Sequence, residues 1–119
     1  MAAMDAVPLQ ITVRRALRAL EVAFDDGRTF SLPFEYLRVH SPSAEVQNHG
    51  GPTVLVQGKE QVQVLRVEPV GNYAVRLVFD DGHDSGLYTW KYLQELGREQ
   101  AERWAHYSRR REQALQGAR

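Results

Sequence analysis

The tetrapeptide Phe-Asp-Asp-Gly occurs twice, at Phe24 to Gly27 and at Phe79 to Gly82, and each time it closes an alternating run. Leu20, Val22 and Phe24 form the apolar side of the first run, and Val75, Leu77 and Phe79 that of the second. A period of two puts these side chains on one face of a strand, and Asp-Gly supplies the residues of a tight hairpin turn. Both copies then reach an aromatic-x-Tyr-Leu, at Phe34 to Leu37 and at Trp90 to Leu93. The chain reads as a duplication. It predicts an α+β fold: a twisted antiparallel sheet built from two related hairpin-plus-helix units, with a C-terminal helix. After the second turn the segment is one residue longer and carries His83, Asp84 and Ser85 where the first has Arg28, Thr29 and Phe30. Chemistry, if any was added, is expected there.

The helix starts are legible. Pro33 suits a first helical turn because its missing N–H would be unpaired there anyway, and Thr89 can cap the second helix through its hydroxyl. Ser41-Pro42-Ser43 ends the first helix near His40, since the residue before proline is pushed out of the helical region. A further helical turn is expected over residues 44 to 47, and Asn48 to Pro52 is the most loop-like stretch. Strands are expected over 9 to 13, over 17 to 24, and through Val62, Val64 and Val67, with His83 opening the return strand of the second hairpin. Gly97 weakens the second helix. Residues 98 to 119 read as a helical extension whose tail, from Arg109, is poor in apolar groups and expected to fray. Residues 1 to 8 are expected to fray as well.

At 119 residues, the chain has room for one core. It has 15 basic and 15 acidic residues, so no net field draws it to nucleic acid or an anionic membrane. Arg109, Arg110 and Arg111 read as a solvated helix end rather than a phosphate-binding patch. No apolar run approaches the roughly 18 residues of a membrane span, and a soluble, cytoplasmic protein is expected. Cysteine is absent, which excludes disulfides, thiolate catalysis and any cysteine metal ligand from this chain.

His83, Asp84 and Ser85 do not make a hydrolase triad, because neighbours on a strand face opposite ways, and no nucleophile elbow surrounds Ser85. Gly50-Gly51 and Gly82-x-x-x-Gly86 match no phosphate-binding loop. His40, His49 and His83, with Asp84 and Glu45, are the candidate metal ligands, yet their spacing matches no metal motif. Structural, hydrogen-bonded histidines are the reading favoured by spacing. Trp90, Tyr92 and Trp104 are expected to pack helices on the sheet.

Tyr36-Leu37-Arg38, Ser41-Pro42-Ser43-Ala44-Glu45 and the stretch from Val70 to Leu93 together resemble the gamma-butyrobetaine hydroxylase N-terminal-like domain in its small stand-alone bacterial form. The resemblance covers residues 9 to 97, leaving 98 to 119 as the extension and basic tail. It implies a sheet-and-helix module that binds zinc through three cysteines and one histidine. By these motifs the cysteine positions fall on Ser41, Ser43 and Val46, and the histidine on His83. A degenerate metal site is therefore implied, with His83 against the Ser41 to Val46 loop and His40 flanking it.

The oxygenase chemistry of the larger hydroxylases does not carry over, since the chain has no room for their catalytic barrel. The expected function is a non-catalytic binding or adaptor module, with no catalytic residue and no cofactor, acting with a partner protein in the cytoplasm. The alternative is a zinc or other divalent-metal domain, or a small metal-dependent enzyme, with a site rebuilt around His83 and His40. Association with nucleic acid or membrane is not expected, and the oligomeric state is open.

Overall fold

The computed structural model describes residues 6–43 and 55–117. Strands β1 (Pro8–Arg14), β2 (Ala19–Phe24) and β3 (Thr29–Pro33) lead into helix α1 (Phe34–Val39). Strands β4 (Val64–Val70), β5 (Ala74–Phe79) and β6 (Leu87–Thr89) lead into α2 (Trp90–Arg98), and α3 (Gln100–Gly117) follows. The α+β class holds, and each repeat forms its own three-stranded antiparallel sheet, ordered β1-β2-β3 and β4-β5-β6. The helical turn expected at 44 to 47 and the loop at 48 to 52 lie outside the described residues, as do Glu45, Val46 and His49. No helix among the described residues is long and apolar enough to cross a membrane.

The duplication extends to individual hydrogen bonds. The Phe24 N–H donates to Arg28 O at 2.8 Å and the Phe79 N–H to His83 O at 3.0 Å, closing the two hairpin turns. Gly27 and Gly82 take the left-handed backbone at φ +88° and +87°, which a side chain would strain. Asp26 Oδ1 accepts from the Arg28 N–H and Asp81 Oδ1 from the His83 N–H, so the second aspartate pins each turn. A ladder irregularity recurs at the same place, between Pro8 and Gln10 and between Val64 and Arg66.

Some boundaries differ from those expected. The second strand starts at Ala19 rather than residue 17, because Arg18 enters the left-handed region at φ 48° to end the turn from β1. Val62 is buried ahead of β4 rather than on it, in a turn where its N–H donates to Lys59 O. The return strand of the second hairpin starts at Leu87, not His83. Residues 83 to 86 leave the ladder instead and approach the segment after α1. The break between α2 and α3 falls at Glu99, while Gly97 lies inside α2. The expected fraying from Arg109 is not seen: α3 continues to Gly117.

The helices cross between repeats. In α1, Tyr36 Oη donates to Leu96 O of α2 at 2.7 Å; in α2, Tyr92 Oη donates to His40 O, just past α1, at 2.5 Å. Arg38 Nε of the first repeat reaches Asp81 of the second turn at 2.8 Å, and Gln94 Nε2 of the second reaches Asp26 of the first turn at 3.2 Å. Contacts in which i meets j while the copy of j meets the copy of i are the signature of a two-fold relation. Leu20, Phe24, Phe34, Leu77, Phe79 and Leu93 are buried in the single core the repeats share.

Candidate functional site

The pseudo-symmetry fails at one place. In the first repeat Phe30 lies over Gly97 of α2, so closely that a Cβ on Gly97 would come within 2.3 Å of the ring. The equivalent pair in the second repeat is Gly86 and Ser41, with the small residue on the other side: a Cβ on Gly86 would come within 2.4 Å of Ser41 Oγ. Removing the ring makes room for polar groups. His83, in place of Arg28, turns inward there.

The His83 side chain and the Ser41 and Ser43 hydroxyls form the resulting cluster. His83 Nε2 lies 2.8 Å from Ser41 Oγ and 3.4 Å from Ser43 Oγ, and the Ser43 N–H donates to Ser41 Oγ at 3.4 Å. Ser41 is 0%, Ser43 6% and His83 6% exposed, so bulk water does not satisfy these groups. Tyr88 floors the cluster: its hydroxyl donates to Leu37 O at 2.6 Å, and burial, opposed by the hydrogen bond with Ser41, pushes its ionisation upward. Asp84, next in sequence, is exposed. It does not share the buried face of His83.

Asp81 holds the cluster from below. Its carboxylate accepts from Lys59 Nζ at 2.7 Å, Arg38 Nε at 2.8 Å and the His83 N–H at 3.1 Å. Burial alone would raise its pKa, but the Lys59, His83 and Arg38 hydrogen bonds outweigh it and hold the group at about 2. Among the described residues, Arg38 Nη1 is buried with no hydrogen-bond partner. Two cations thus converge on one carboxylate. The Leu-Arg pair was legible as a motif, but periodicity says nothing of a bond from Arg38 to a turn 43 residues away.

His40 is placed elsewhere. Its Nδ1 donates to Tyr36 O at 3.0 Å, its ring packs on Tyr36 at 4.7 Å, and α3 brings Arg103 and His106 near it. Burial lowers its pKa, and those two neighbours lower it further against the Tyr36 carbonyl. Trp104 sits edge-on to Tyr36, a packing role as expected, and Trp90 Nε1 donates to Asn72 O. Among the described residues no group of three His, Cys, Asp or Glu side chains could hold a metal ion.

An α+β domain of two crossed β-β-β-α repeats, with a buried histidine at the point where they diverge, is the class these observations define. The sequence pattern of the family described as gamma-butyrobetaine hydroxylase-like, N-terminal, matches residues 11–94, and the chain belongs to that family. A solved structure similar to it is the crystal structure of a protein of unknown function of the DUF971 family from Acidithiobacillus ferrooxidans. That chain is 46% identical, with 76% of this chain and 91% of that chain covered and a TM-score of 0.65. Two solution NMR structures are also similar. One is 47% identical over 97% of this chain and 88% of its own, with a TM-score of 0.82. The other is 48% identical over 90% and 85%, with a TM-score of 0.77. No curated protein matches the chain.

The donor chemistry does not fit the zinc that the resemblance implies. Zinc sites of that type are built from thiolates and imidazole, whereas a neutral serine hydroxyl is a weak ligand and a valine is none. Ser41 and Ser43 already stand within hydrogen-bonding distance of the one imidazole nitrogen they would share a metal with. Val46 lies outside the described residues.

Proposed function

We propose that this chain is a non-catalytic binding module that acts through a partner protein in the cytoplasm, with hydrogen bonds at the family's ligand positions in place of a metal. The buried His83–Ser41–Ser43 cluster supports this reading most directly. Three polar side chains satisfy one another, tie the turn after β5 to the segment after α1, and expose almost no surface to a substrate. Ser41 has a histidine partner at the distance of a nucleophile and its base, but a hydroxyl that is 0% exposed cannot reach a reacting carbon. A small domain whose repeats lock together through such buried contacts is suited to presenting surface.

Elemental analysis tests the metal half of this proposal. Protein purified without chelators is expected to hold far less than one equivalent of zinc, and His83→Ala should lower stability by about 1 to 2 kcal/mol through loss of the buried hydrogen bonds. Zinc near one equivalent that disappears in both His83→Ala and His40→Ala would overturn it. The adaptor half is tested by purifying the tagged full chain from its native cell. A defined protein recovered in a fixed ratio is expected, and a chain recovered alone while it turns over a small molecule would point to an enzyme.

A further inference from the structure

We infer that the outer edge of β1 is a docking edge for an extended segment of a partner protein, apolar on alternate residues and acidic at one end. The inference rests on the binding-module reading above and names its surface. A strand at the margin of a sheet presents unpaired N–H and C=O groups, which an added strand can take up. Among the described residues there are four such margins, and three are closed by the chain itself or are very short.

The margin at β4 is closed at both ends. Arg15 donates through Nη1 to Val64 O at 2.7 Å and through Nη2 to Leu65 O at 3.3 Å, and Pro69 stands near the far end with no N–H to offer. Between them, Glu68 is bonded by Arg66 and Arg76. The margin at β3 ends in Pro33 and is overlaid by α2, where Gly97 meets Phe30. The third, β6, is three residues long. Among the described residues, β1 has none of these devices beyond Pro8, its first residue.

The register shows which groups are free. Pro69 pairs with Val75, and since proline cannot donate, the outward-pointing positions of β4 are Pro69 and, two residues back, Val67. Their counterparts in β1 are Val13 and Ile11, which pair with Leu20 and Val22. The Val13 and Ile11 backbone groups therefore point away from β2. Both side chains pack on the core yet remain half-buried, and Val7 and Leu9 beside them are 46% and 74% exposed. An added strand would pair the backbone and extend the apolar face.

Charge decides between occupants. From Pro8 to Arg18 the chain carries Arg14, Arg15 and Arg18 and no acidic residue. Arg15 is engaged with β4, whereas the Arg14 side chain is 52% exposed, with Glu21 at 3.4 Å. A second copy would bring another acid-free, basic strand. A segment with a carboxylate near Arg14 and Arg18 complements this edge, and β pairing supplies the rest.

The test uses the full chain as bait for a displayed library of random peptides, with three comparisons. Val13→Pro copies the device already present at Pro69, removing an outward N–H while leaving the β1–β2 ladder intact. Recovered peptides should alternate apolar residues, carry Asp or Glu at one end, bind Val13→Pro about tenfold or more weakly, and bind Arg14→Glu several-fold more weakly. Should Val13→Pro unfold, Arg14→Glu decides, and unchanged binding there overturns the inference. Peptides that bind both variants as well as the parent, or a library that yields no binder, also overturn it. Sedimentation that finds a dimer lost in Val13→Pro would make a second copy the occupant and overturn the acidic partner. A native partner that stays bound to Val13→Pro removes the edge but leaves the binding-module reading, whereas the absence of any native partner removes that reading itself.

Discussion

His83 and Asp81 carry the difference between the two repeats, through one side chain and one turn. The same Asp-Gly turn is built in both, with the second aspartate accepting the N–H two residues on. Among the described residues, Asp81 alone of the two also receives two cations, Lys59 and Arg38, and only after its turn does the next residue, His83, bury a ring in the protein. The pH consequence follows from its pKa of about 2, below the ordinary 3.8. A carboxylate held below its unfolded value contributes stability that is complete above about pH 4 and is lost as pH falls through the folded value. Chemical denaturation between pH 5 and pH 2 should therefore show a steeper loss in the parent than in Asp81→Asn. Equal slopes would mean that the Lys59 and Arg38 contacts are too solvated to matter.

Elements in this fold meet at glycines placed in mirror fashion. Gly97 in α2 gives way to Phe30 on β3, and Gly86 before β6 gives way to Ser41 after α1. By propensity alone Gly97 is a weak point, and alanine there should gain up to about 1 kcal/mol. The ring contact reverses the sign. A Cβ at 2.3 Å from Phe30 must displace a ring stacked edge-on with Phe24, and overpacking of this kind costs typically about 1 to 3 kcal/mol. Gly97→Ala is expected to be destabilised in urea unfolding, and a raised midpoint would show that Phe30 can swing clear at no cost.

The molecule as a whole is held by contacts that join its repeats and by α3, which docks rather than projects. Trp104 packs on Tyr36, Tyr107 is buried, and Tyr107 Oη and Arg111 Nη1 both approach Glu35 Oε2, at 3.4 and 3.3 Å. Burial and the nearby Glu60 raise the pKa of Glu35, while Arg111 and Tyr107 oppose them. Removing residues after Ser108 leaves that carboxylate beside Glu60 without its cation. Exposed ion pairs contribute about 0 to 1 kcal/mol each, and partly shielded ones somewhat more, so the melting temperature should fall by about 4 to 8 °C. The loss should shrink in mild acid, where Glu35 takes up a proton. An unchanged melting temperature at neutral pH would restore the frayed tail that composition suggests.

The local parts of this protein were legible in its sequence because their causes lie within a few residues. Alternation marked β2 and β5, Asp-Gly marked both turns, and Pro33 and Thr89 marked both helix starts, Thr89 through its hydroxyl's bond to the Tyr92 N–H. The motif resemblance also brought His83 to the segment after α1, where Ser41 and Ser43 meet it. Periodicity tells which face of a strand or helix is apolar but not what covers it. Burial of the two repeats against each other set the crossed Tyr36 and Tyr92 bonds and drew residues 83 to 86 off the ladder, while docking of α3 placed Arg103 and His106 near His40 and tied the basic tail to Glu35. Those outcomes depend on pairs up to 76 residues apart, whose geometry exists only once the core has closed.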